Sequence, residues 1–378
     1  EATWGKVWEQ LQVLFWSYAG DLGPPLTPLN LAATLVLCLG IWWVRKPGAG
    51  FLAWVFPARV YRTASFWLDV KLTFLNWFID LFTTLNFAAV ATITAYGVGQ
   101  ALGLAPPLPG AYSAALMALV IFLAGDMALY WYHRLNHGRP VLWAFHALHH
   151  SAEEMSPVTA FRHHPLYSIT AGLIVSLAVG MVQGLAVALA FGSLDMALLA
   201  GVNVFTAVLN LATNNLKHSH VWLRFPPWLE HVLISPAQHQ VHHSVDPRHY
   251  NRNYGDVLAL WDWLFGTLYV TRADEVIRFG LGDAAGQPVP QLHPTLRAAL
   301  VEPVARARAI LQRRGCISRR GFADAGTVIG CASLHLKGTE DEETACPDHR
   351  RRDCRIGALC RRPGRDRRGR RPRGRGKG

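Results

Sequence analysis

Apolar residues in this chain come in long runs, and the runs come in pairs. Residues 74–104 and 111–132 are joined by a proline-rich turn at 104–110, and residues 166–190 and 194–215 by a five-residue link at 191–195. Each run approaches the roughly 20 residues a helix needs to cross a bilayer, and neither tip carries Lys or Arg. Both pairs read as helical hairpins. An earlier run at 28–44 is shorter, closes on Trp42 and Trp43, and is followed by Arg45 and Lys46. It reads as a first membrane helix or an interfacial one.

Charge is distributed in keeping with this. Only 16% of residues are charged, against about 25% in an average soluble domain. The formal charge of +12 suggests nucleic acid at first, but residues 350–378 hold 14 Lys+Arg and 2 Asp+Glu, a net of 14 − 2 = +12. The rest of the chain is therefore neutral, and a nucleic-acid partner is not expected. Residues 45–72 carry Arg45, Lys46, Arg59, Arg62 and Lys71 against Asp69 alone. The positive-inside rule puts this segment in the cytoplasm. The histidine-rich stretches, which lie between the hairpins (133–164) and after the second (218–249), fall on the same side. The expected protein is all-α, integral to the membrane and multi-pass, with helical hairpins and a cytosolic histidine-rich helical cap. Residues 257–270 are too short to span and rich in aromatics, and read as an interfacial helix. Residues 293–312 read as a soluble helix, and 313–378 as a disordered Arg-rich tail.

The histidines follow a pattern. His133 and His137 are spaced HxxxH; His146, His149 and His150 form HxxHH; and His239, His242 and His243 repeat HxxHH. On a helix, positions i, i+3 and i+4 share a face, so eight imidazoles gather in three one-faced clusters. A single HxxHH could be a polar helix face. Two copies plus HxxxH on one side of a membrane point instead to metal, and imidazole suits Fe, Zn, Cu or Ni. Eight ligands oversupply one tetrahedral site and suit two ions. Asp126 and Tyr130 precede His133 and His137 on one stripe. An acid within an apolar span is costly, and Asp126 is expected to accept the outer N–H of a metal-bound histidine. Asn203, Asn210, Asn214 and His218 form a second stripe, with His218 a further ligand and Asn214 a weaker one. His163 and His164 are either second-sphere or structural, with His164 the candidate outer-sphere residue; His249 and His293 read as ordinary. The five cysteines other than Cys38 all fall at 316–360 without a CxxC pair, which argues against a zinc ribbon.

These blocks resemble the membrane fatty acid hydroxylase/sterol desaturase superfamily of histidine-box di-iron oxygenases. The likeness lies in residues 126–137, 142–151 and 235–269, within a stretch of roughly 55–272. It implies a catalytic domain at 55–272, preceded by an N-terminal segment (1–27) and a first helix with linker (28–54), and followed by a soluble helical segment (273–312). It also implies two iron ions as cofactor, held by His133, His137, His146, His149, His150, His218, His239, His242 and His243, with O2 as co-substrate. Asn214 stands where some members have histidine, and Tyr167 where many have an acid. The implied reaction is hydroxylation or desaturation of a lipid C–H bond. No flavin, haem or iron–sulfur module is evident, so electrons are expected from a separate donor protein on the cytosolic face. Two other readings remain open: a zinc-dependent membrane hydrolase and a non-enzymatic metal transporter.

Overall fold

The structure, a computed structural model, describes residues 26–102, 114–186, 208–209, 211, 213–273 and 275–318. All lie within Glu1–Ser333, one of the two units into which the chain divides. The tail beyond 318, both hairpin tips, and Asn203 and Asn210 of the expected polar stripe lie outside the described residues.

The protein is all-α. Among the described residues β-structure is confined to isolated bridges such as Leu233 with Leu258. Helix α1 (Pro28–Arg45) starts on the side chain of Thr27, which accepts from Asn30 N, and ends at Lys46 in the left-handed region. Two short helices follow, α2 (Phe51–Val55) and α3 (Ala58–Tyr61). The long helices are α4 (Ala64–Leu102), α5 (Ala114–Gly138) and α7 (Pro165–Ala186), with α6 (Pro140–His150) between the last two. Then come α8 (Asn214–Lys217), α9 (Pro236–His242), α10 (Leu260–Leu264) and α11 (Leu296–Ser318). By length and composition α1 and residues 165–185 of α7 are apolar enough to cross a membrane.

Helix α7 packs on α4 and α5. Its contact with α4 is made through Gly180 and Gly184. A Cβ at Gly180 would lie 2.8 Å from Thr94 Cβ and against the Ala91 carbonyl, and one at Gly184 would lie 2.8 Å from Val98 Cβ and against the Ala95 carbonyl. Two small residues four apart allow the backbones to approach this closely.

Three expected boundaries are corrected. Helix α4 begins at 64 rather than 74, because its first turns have a polar face with a protein partner: Asp69, Thr73 and Asn76 are buried. Asp69 Oδ1 pairs with Arg162 Nη1 at 2.6 Å, both side chains fully buried, and Asn76 Nδ2 donates to the carbonyls of Phe161 and His163. Residues 257–270 are not one helix. Only Leu260–Leu264 is helical, since the Asp262 carboxylate folds the chain back, accepting from Tyr254 N, Gly255 N and Thr267 Oγ1. The C-terminal helix extends past 312, to Ser318.

That last helix is bound to the histidine-bearing α6. His293, fully buried, contacts Ser151 Oγ through Nδ1 at 3.1 Å and donates from Nε2 to Glu302 Oε2 at 2.9 Å. Gln291 Nε2 donates to the Ser151 carbonyl at 2.7 Å, and Arg162 Nε to the Leu148 carbonyl at 3.0 Å. The end of α6, where two histidines stand, is thus held from several sides.

Candidate metal centre

Four separate pieces of chain deliver histidines to one place. His133 and His137 lie one turn apart in α5; His146, His149 and His150 close α6; His239 and His242 lie in α9, with His243 as its C-cap. Helix α9 starts on a capping box in which Ser235 Oγ accepts from Gln238 N and Gln238 Oε1 from Ser235 N. His218 follows the single turn α8.

The nine rings sort into two groups. His133, His137, His146, His150 and His242 have ring nitrogens within 4.8 Å of one another; so do His149, His218, His239 and His243. The boxes are therefore split. The first HxxHH sends its outer two histidines to the five-membered group and His149 to the other. The second sends His239 and His243 to the four-membered group and His242 across. A helix makes this division naturally, because i and i+4 lie nearly in line while i+3 is rotated away. The groups adjoin: His150 stacks on His243 with centroids 4.3 Å apart.

Within the groups Nε2 atoms point at each other. His146 and His150 are 3.2 Å apart at Nε2, His149 and His218 3.2 Å, His218 and His239 2.9 Å, and His239 and His243 3.2 Å. Two nitrogens each about 2.1 Å from a shared ion would be spaced in much this way. The Nε2 atoms of His133, His137 and His242 are buried with no hydrogen-bond partner. Buried polar atoms are normally paired, so this convergence of lone pairs fits metal. Two outer nitrogens are anchored: His133 Nδ1 donates to the Tyr254 carbonyl at 2.8 Å and His242 Nδ1 to the Arg252 carbonyl at 2.7 Å. That fixes the tautomer with Nε2 unprotonated and facing inward.

Electrostatics agree. Burial, reinforced by the charge of neighbouring imidazoles, holds His146, His149, His150, His218, His239 and His243 well below the ordinary histidine value. Burial and His133 do the same for His242. Neutral imidazole is the ligating form.

Two expectations about surrounding residues are corrected. Asp126 does not reach a histidine. Its carboxylate accepts from Val257 N at 3.0 Å, Leu258 N at 3.2 Å and Trp261 Nε1 at 2.8 Å. It anchors the loop whose Tyr254 carbonyl orients His133, one link further out than expected. His164 turns away, its Nε2 donating to the Leu300 carbonyl of α11 at 3.1 Å while its Nδ1 accepts from Leu166 N. His163 faces the site instead. Its ring stacks on His149 at 4.3 Å and on Tyr167 at 4.5 Å, and burial takes its pKa down to about 3. Tyr167 in turn stacks on His146 at 5.0 Å. Trp143, not singled out from the sequence, packs on His137 and His150 at 4.9 and 5.4 Å. Its spacing of three and seven residues before His146 and His150 was the available signal. Asn214 opens the turn leading to His218 and is half-buried.

Residues 118–267 match the fatty acid hydroxylase family. Alkylglycerol monooxygenase of Danio rerio is 32% identical over 44% of this chain and 33% of its own length. Ornithine lipid hydroxylase OlsE of Rhizobium tropici is 32% identical over 43% and 44%. Delta(7)-sterol 5(6)-desaturase erg3C of Aspergillus fumigatus is 26% identical over 40% and 48%. The chain thus spans between a third and a half of these relatives. No solved structure matches. With all three histidine boxes and His218 inside the matched stretch, this chain belongs, over residues 118–267, to the fatty acid hydroxylase/sterol desaturase superfamily of histidine-box proteins.

Proposed function

We infer that the chain is a membrane-bound di-iron oxygenase that hydroxylates or desaturates a lipid C–H bond. The observation that carries this is the pair of adjoining all-histidine groups with inward Nε2 atoms. His133, His137, His146, His150 and His242 would hold one ion, and His149, His218, His239 and His243 the other. Bound iron would supply O2 activation. Hydroxylation balances as R–H + O2 + 2 e⁻ + 2 H⁺ → R–OH + H2O, and desaturation removes two hydrogens with release of two waters. The electrons come from a separate reductant protein on the cytosolic face.

The chain's own residues arrange this chemistry. The Tyr254 and Arg252 carbonyls orient their imidazoles, with Asp126 and Asp262 holding the Tyr254 loop. His133 and His137 are half-buried while the second group is fully buried, so a lipid approaches from the side of the five-histidine group. Trp143 packs on His137 and His150 on that side, while Tyr167 and His163 stack in a column against His146 and His149. The helices α1, α4, α5 and α7 span the membrane, with the histidine layer at their cytosolic ends.

Iron-replete expression followed by metal analysis tests the reading, with about two iron ions per chain expected. His149→Ala is expected to lower the iron content and abolish lipid oxidation while the protein stays inserted. One or two zinc ions and no iron, or full activity in His149→Ala, would overturn it.

A further inference from the structure

The largest fully buried side chain among the described residues is that of Arg162, and its guanidinium joins two helices. On one side Nη1 pairs with Asp69 Oδ1 of α4 at 2.6 Å and donates to Ser65 Oγ at 3.2 Å. On the other, Nε donates to the Leu148 carbonyl at 3.0 Å and Nη2 to Ser151 Oγ at 3.1 Å, so the fork closes on the carboxyl end of α6. Arg162 follows a 3₁₀ turn, Pro157–Phe161, whose Thr159 Oγ1 donates to the second Asp69 oxygen at 2.6 Å. Burying two charges is expensive, and apolar residues of similar size often serve stability as well or better. What such residues lack is a rigid fork with fixed directions. The fork grips a helix that serves both histidine groups: α6 gives His146 and His150 to the five-membered group and His149 to the other.

We propose that Arg162 is a positioning residue for both metal ions: anchored on α4 by Asp69, it fixes the rotation of α6 about its own axis and so sets the two histidine groups together. The assignment rests on the metal reading of those groups. Side-chain tips stand about 5–6 Å from a helix axis, so a turn of about 10° carries them about 1 Å. A site must be held to within about 0.5 Å. Such a turn moves His146, His149 and His150 at once, and a shift that restores one group does not restore the other. The next residue adds a second link. His163 stacks on His149 with centroids 4.3 Å apart and the rings 18° from parallel, so one anchor point fixes a ligand and the ring that covers it. The grip also differs from that of α11. His293 and Gln291 reach Ser151, beyond the helix, whereas Arg162 reaches the Leu148 carbonyl inside the last turn.

Cobalt(II) titration of the chelator-treated full-length chain in detergent, followed by visible absorption, tests this, with thermal melts run beside it. The unaltered chain is expected to take up two ions. In the double variant Asp69→Leu/Arg162→Met both charges leave together. Its melting temperature should stay near that of the unaltered chain, while both ions bind about tenfold more weakly. Arg162→Lys keeps a charge opposite Asp69 but loses the fork to Leu148 and Ser151. The same loss for both ions is expected there, and this variant decides the matter where the double variant does not fold. Undiminished affinity in a folded variant overturns the proposal, as does a loss confined to one of the two ions. An affinity loss that appears only where the melting temperature falls as well marks a purely structural pair and overturns it too. An unaltered chain that takes up neither cobalt nor iron overturns the metal reading and the positioning role with it; two bound ions with unaffected variants overturn the role alone.

Discussion

At the scale of single residues, the site depends on keeping many imidazoles neutral and aimed inward. For the seven histidines of α6, α8–α9 and their caps the folded-state pKa lies far below the unfolded value. Below about pH 6.5 the unfolded chain takes up protons that the folded one refuses. Stability of the metal-free protein is therefore flat above that pH and falls as pH drops through it, by about 1.4 kcal/mol per unit for each such histidine. Thermal melts of the chelator-treated protein from pH 8 to pH 5 check this, and a melting temperature that rises toward pH 5 would contradict it. Asp126 gives a second prediction. Asp126→Ala leaves three N–H donors unpaired in the interior, each costing about 1–3 kcal/mol, and releases the loop behind His133. Lower melting temperature together with weaker iron retention against a chelator is expected; lost stability with unchanged iron retention would mean the loop does not orient His133.

At the scale of elements, the helix α11, which lies outside the matched stretch 118–267, behaves as part of the site. Its Glu302 holds His293, and His293 and Gln291 hold Ser151, the residue after His150. Glu302→Leu removes the carboxylate and leaves a buried imidazole without its acceptor. Iron affinity should fall by about tenfold, the low end of the effect of losing an outer-sphere partner, and Glu302→Gln, which keeps an acceptor oxygen, should recover most of it. Chelator competition reads both, and equal losses in the two variants would argue for a bulk packing effect instead.

At the scale of the whole molecule, the length of α4 is informative. Its 39 residues extend about 58 Å, nearly twice a hydrocarbon core of about 30 Å. In the proposed topology the part bearing Asp69, Thr73 and Asn76 belongs with the histidine layer and the remainder crosses the membrane. All histidine boxes should then share one side. Topology reporters at the 104–110 turn and the 191–195 link are expected to face opposite the histidine-bearing segments. A reporter at either tip on the histidine side would break the hairpin topology.

Much of the site was legible in advance because the residue types are rare and their spacing matches a helix. HxxxH and HxxHH are readable as one-faced clusters without coordinates, and His218 stood out at the end of a polar stripe. The surroundings were less accessible. Asp126 shares a stripe with His133, yet its partners come from residues 257–261, brought there by a fold-back that no local pattern announces. His163 and His164 are adjacent and chemically identical; which one faces the histidine groups depends on the turn that hands the other to α11. The sequence by itself determined an all-α protein and the histidines that meet, since helical periodicity and apolar run length are local properties. Only the tertiary structure decided how the boxes divide into five and four, what holds each ring, and that His293 and Glu302 brace the site, because contacts such as His133 with Tyr254 and Ser151 with His293, 121 and 142 positions apart, follow from packing and not from any local pattern.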